Sequence, residues 1–98
     1  MKILAIEKEV PDVADSAYQP FLEAEARKVW ELQQEGYIRE IYFTDNHFAV
    51  LMLEASDKMH ACEIIGQLPL VQNKLIDFEL MALRAYPGFA RLFKPEWK

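Results

Sequence analysis

Glu25 is the residue whose type and placement promise chemistry. Stepping about 100° per residue along a helix that follows Ser16 sets Tyr18, Phe21, Leu22, Val29 and Leu32 on one side. Glu25 falls in the middle of that apolar stripe, while Glu23, Arg27, Lys28, Glu31 and Gln34 lie mostly elsewhere. A carboxylate aimed into a core is costly unless it is paired, hydrated or protonated. Arg39, on the strand after the helix, shares the parity of Ile41 and Phe43 and is expected to point at the helix layer. The two residues then read as a general acid/base and a guanidinium for an anionic substrate, in a cleft between helix and sheet. A structural Glu–Arg pair, or a Glu25 turned out to water by a small helix rotation, is the non-catalytic alternative.

A second set is polar and lies on strands: Glu40, Tyr42, His47, Asp77 and Glu79. With Tyr18, the residues Tyr42, His47, Glu40 and Glu79 are the substrate-binding candidates; those on strands would line a cavity between two sheets or pair through water across an interface. Tyr86 and Arg91 follow the last strand, where they would close a pocket or pack a tail. His47 and His60 lack ligand spacing, and the chain has no glycine-rich phosphate loop, CxxC pair or serine elbow. Neither metal nor organic cofactor is expected. Cys62, within an apolar helix, is expected to be an inert core residue.

The elements that must position these residues follow from pattern. Lys2 to Glu9 is a β-type run closed by Pro11 and Asp12. Ser16-Ala-Tyr-Gln19 has the form of a capping box, and the helix after it should end near Gly36. Two strands, Tyr37 to Thr44 and His47 to Glu54, flank the turn formers Asp45 and Asn46. Asp57 can cap a second helix through about Gln67, which Pro69 should stop, and Leu75 to Ala85 reads as the last strand. The order predicts an α+β, ferredoxin-like βαββαβ fold, a four-stranded antiparallel sheet with two helices on one face. Residues 1–85 would be the core of a single domain, 1–98, and residues 86–98 a tail packing on the partner subunit.

Alternation divides the strands into two faces. Ile41, Phe43, Phe48, Val50, Met52, Ile76, Phe78 and Leu80 should meet the helices. Glu40, Tyr42, His47, Ala49, Leu51, Leu53, Asp77, Glu79, Met81 and Leu83 should form the other face, too apolar for open water. Packing that face on a second copy predicts a homodimer. Charge points the same way about partners: 16 acids against 11 bases, with no basic block, argues against nucleic acid and anionic membranes. One cysteine excludes an internal disulfide, and no apolar run approaches a membrane span, so a cytoplasmic protein is expected.

With these residues placed, the chain resembles the muconolactone isomerase-like branch of the dimeric α/β-barrel superfamily, over roughly Glu25 to Pro87. The resemblance rests on Glu25 with Leu32-Gln33-Gln34-Glu35-Gly36, on Arg39, and on Leu68-Pro69-Leu70 followed by Asp77-Phe78-Glu79. It implies a dimer or a higher assembly of dimers, and proton movement on a small unsaturated lactone without metal or organic cofactor. It also implies catalytic roles for Glu25 and Arg39. The chain departs from the family pattern at Ala26, where a lysine is usual, at Ile38 and Tyr42, where the strand carries Trp, and in a longer loop after Leu70. The expected function is therefore that of a cofactor-independent isomerase or cyclase acting on a small carbonyl- or carboxylate-bearing molecule. A non-catalytic ligand-binding or assembly module and a cofactor-independent oxygenase are the alternatives, to be separated by the size and polarity of the cavity.

Overall fold

A computed structural model describes residues 1–93; residues 94–98, the end of the tail expected to pack on a partner subunit, lie outside them. The order is β1 (Lys2–Glu9), α1 (Leu22–Gln34), β2 (Ile38–Phe43), β3 (Ala49–Glu54), α2 (Lys58–Ile65), α3 (Pro69–Gln72) and β4 (Ile76–Ala82). Short 3-10 turns occupy Asp15–Ala17, Gln19–Phe21 and Gly88–Phe93. The strands form one antiparallel sheet ordered β2-β3-β1-β4. The chain is thus α+β, and its topology is compatible with the ferredoxin-like arrangement.

Several ends of elements follow directly from their residues. Gly36 takes φ 87° just past α1, where the Tyr37 N–H donates to the Leu32 carbonyl at 3.0 Å and the Gly36 N–H to that of Gln33 at 3.1 Å. Such left-handed closure satisfies orphan carbonyls and favours glycine. The Asp57 carboxylate accepts the His60 N–H at 2.7 Å and caps α2. Pro69, expected only to stop that helix, instead opens α3 at its first position, where the missing N–H has no partner to lose. The capping box at Ser16–Gln19 does not form. Pro20 has no N–H to give to an α-helical ladder, and two 3-10 turns carry the chain to α1, which starts without a side-chain cap.

The sheet's helix-covered face carries Ile3, Ala5, Ile38, Leu51, Leu53, Ile76 and Phe78, all buried, packed with Leu32, Ala61, Ile64 and Leu68 from the helical layer. This corrects the expected faces of β3: Ala49, Leu51 and Leu53 point at the helices, and Val50 and Met52 at the open side. Phe48-Ala-Val-Leu-Met-Leu53 is apolar at both parities, so alternation alone could not choose.

The open face is arranged in cross-strand rows. Glu40, Met52, Leu4 and Met81 make one, and Tyr42, Val50, Ile6 and Glu79 the next. After β4 the chain runs away from the sheet, and its extents reach 65 × 27 × 22 Å. Tyr86 stacks edge-on against Phe89 at 5.1 Å, yet both rings, with Leu92 and Phe93, are 65–79% exposed. Among the described residues, no helix is long and apolar enough to cross a membrane.

Candidate functional site

The helical period of α1 puts Leu22, Glu25, Ala26, Val29, Trp30 and Gln33 on one side, facing the sheet. Helix α1 packs on β2 and α3, and beneath it lies a cleft of about 400 Å³. The floor is apolar, from Ile41, Phe43, Ala49, Leu51, Ile76 and Phe78, with Leu68 and Leu70 closing one side. Trp30 and Phe43 are 62% and 66% exposed. Among the described residues, Glu7, Glu25 and Gln33 bring the only charged or amide side chains to the lining, and none of the lining residues is basic.

Glu25 therefore faces inward, half-buried. Its Oε1 accepts the Leu70 N–H at 2.9 Å, capping the first turn of α3. Burial, the largest influence, pushes its carboxyl above the ordinary 4.5; the Leu70 amide pulls it down, and the charge of Glu7 pushes it up again.

Glu7 is the functional candidate that pattern reading missed. It shares the parity of Ile3 and Ala5, so β1 points it at the helices. The β1–β3 ladder ends at Ile6 and Val50, and the Glu7 Oε1 takes the next N–H, that of Ala49, at 2.9 Å. Its parity with two buried residues was the available signal. In the sequence it looks only like the first of three charged residues ending an apolar run.

Arg39 does not join Glu25. A β-bulge between Ile38 and Glu40 shifts the register, so Ile38 turns into the core and Arg39 out to solvent. Parity counted back from Ile41 fails at that extra residue. Arg39 makes no ion pair among the described residues; its charge acts on Glu54, whose carboxyl the Met1 amine holds low, with Arg39 and Lys2 adding to the effect.

The other candidates scatter. Tyr18 lies at the core's edge, its hydroxyl donating to the Leu75 carbonyl at 3.4 Å, outside the cleft. On the open face Tyr42 donates to Glu40 at 3.0 Å, a bond that raises the phenol above its ordinary value, and Glu79 is exposed beyond Ile6. Asp77 pairs with Lys8 at 3.7 Å. His47 occupies the β2–β3 turn at φ 64°, its ring 5.9 Å from that of Phe43 at the cleft rim. Tyr86 and Arg91 sit on the protruding segment, away from the cleft. Cys62 is exposed, not a core residue, because α2 turns Ala61, Ile64 and Ile65 inward instead.

In comparisons with known proteins, no family model matches the chain, and no curated protein matches it. Fold and cleft together define an α+β domain that holds two carboxyl groups against an apolar wall.

Proposed function

We propose that the chain is a cofactor-independent proton-transfer enzyme of the isomerase or cyclase kind, acting on a small carbonyl compound in the cleft under α1. One observation carries this reading: Glu25 is turned into a cleft with room for a ligand, and burial has raised its affinity for a proton. The sequence resemblance to muconolactone isomerase-like proteins supports the same chemistry. Arg39 stands too far outside to stabilise charge on the substrate, so a different electrophile is required.

Glu25, which burial makes readier than an ordinary carboxyl to hold a proton, supplies it. Its acid form gives a proton to the carbonyl oxygen while Glu7, the other carboxyl of the wall, takes one from the carbon beside the carbonyl, so a neutral enol forms rather than an enolate. Reversal at a different carbon completes an isomerisation and returns both carboxyls to their starting forms. A panel of unsaturated lactones and cyclic ketones in D₂O tests this: the wild type should incorporate deuterium beside the carbonyl, and Glu25→Gln should not. Equal incorporation by both would remove Glu25 from the chemistry.

The apolar floor favours one further reading, a cofactor-independent oxygenase acting on an aromatic molecule, because the cavity is larger and less polar than a small lactone needs. Oxygen uptake on adding substrate would distinguish it.

The working unit of this proposal is a cytoplasmic homodimer of ferredoxin-like domains joined through the open sheet faces, a dimeric α/β barrel, with each tail lying on the other copy. The rows Met52–Leu4–Met81 and Val50–Ile6 supply the apolar patch. Charge supplies the clasp: residues 1–82 hold fifteen acids against seven bases, and residues 83–98 four bases against one acid. In solution the intact chain should have twice its 11.5 kDa mass. Deletion after Ala85 should weaken the pair at least about tenfold, because hot-spot aromatics dominate such contacts. A strictly monomeric chain at micromolar concentration would contradict this.

A further inference from the structure

The geometry points to a selective ligand class for the cleft: ring-sized apolar molecules that carry a hydrogen-bond donor and no anionic group. This rests on the cleft being the functional site, and goes beyond it by stating what the site accepts and refuses.

Three features of the wall carry the inference. First, its charged and amide side chains are two carboxyls and one amide, from Glu7, Glu25 and Gln33, and among the described residues no lysine, arginine or histidine lines it to neutralise a bound anion. A ligand carboxylate would leave water for an apolar wall with like charge beside it, and both effects oppose binding. Second, each glutamate spends only one oxygen on the protein: Oε1 of Glu25 on the Leu70 amide, and Oε1 of Glu7 on the Ala49 amide. Among the described residues neither Oε2 has a donor, so in their ionised forms the two groups present anchored acceptors. The amide bonds hold both carboxyl groups in place, so a donor on the ligand meets oriented acceptors. Third, a volume of about 400 Å³ with aromatic residues at its mouth suits a body of one or two rings rather than a chain or a large polycycle. An amine, a phenol, an alcohol or an enol on such a body satisfies both the wall and the acceptors.

Three probes share one ring and differ in their polar end: benzylamine, benzyl alcohol and benzoate. Each is titrated at pH 7 into the intact ¹⁵N-labelled chain, following the Leu70 and Ala49 amide resonances. Those amides bond the two carboxylates, so they report occupancy of this cleft. Benzylamine and benzyl alcohol should shift both amides, each binding at least about tenfold more tightly than benzoate. In the double variant Glu7→Gln, Glu25→Gln, which keeps both amide acceptors, the preference should shrink to within about threefold. Benzoate binding as tightly as the amine would overturn the inference, as would silence of both amides with all three probes. Undiminished selectivity in the double variant would also overturn it, since the preference would then come from the chain's net charge of −5. The probes do not react, so selective binding without deuterium exchange on any carbonyl compound would sink only the proton-transfer proposal. A preference for benzoate would sink only the ligand class.

Discussion

Glu25→Gln should lower proton transfer by about 10²–10⁴-fold, the range typical of a positioned general acid/base. Glutamine keeps an oxygen for the Leu70 N–H, so α3 retains its cap while the titratable group is lost. Glu25→Ala separates the two roles: it removes cap and proton carrier together and should also loosen the 69–72 turn, seen as faster amide exchange at Leu70. Stability should move the other way from activity in the glutamine variant. The folded pKa of Glu25 is raised, so its contribution is fully present below the ordinary 4.5 and is lost as pH climbs through the folded value. Wild type and Glu25→Gln should therefore melt alike below pH 4.5, and the glutamine variant should be the more stable at pH 7. Thermal melts across that window check the sign. A wild type that gains on the variant with rising pH would mean the carboxylate is stabilised by a partner, as a structural ion pair would be.

Leu53→Ala should destabilise the domain by about 2–5 kcal/mol, a large share of the total stability of a chain this size. Leu53 is fully buried, with Ile3 and Ile38 as its cross-strand neighbours. Truncation there removes contacts on the helix-facing side and leaves a cavity that strands on both flanks hinder from collapsing. The melting temperature should fall on the order of 10–30 °C. Met52→Lys, one position away, is the paired control. It places a charge on the open face, so the isolated domain should stay folded while the proposed dimer dissociates. If the two variants exchanged phenotypes, the side of the sheet assigned to β3 would be reversed.

That pair also marks where pattern reading succeeds and where it stops. The element order was legible because breakers and caps stand at nearly every boundary: Gly36 closes α1, Asp57 opens α2, and Asp45-Asn46 sits in the β2–β3 turn. Strand phase was harder to read. In β3 both parities are apolar, and in β2 one bulged residue reverses the phase between Ile38 and Ile41. The inward Glu25 survived because helical spacing carries it with Val29, one turn on in an unbroken helix. Its proposed partner did not, because Arg39 depends on counting through the bulge. Glu7 was overlooked for a related reason: adjacent to Lys8 and Glu9 it resembles a solvated end, although its parity follows Ile3 and Ala5.

A direct measurement of the central claim is the titration of the Glu25 side-chain carboxyl by ¹³C NMR, in the wild type and in Glu7→Gln. Burial in the cleft beside a second acid predicts a midpoint above 4.5 that moves down when Glu7 loses its charge. A midpoint at or below 4.5, indifferent to the change at position 7, would show a hydrated carboxylate and leave the cleft without its acid–base pair.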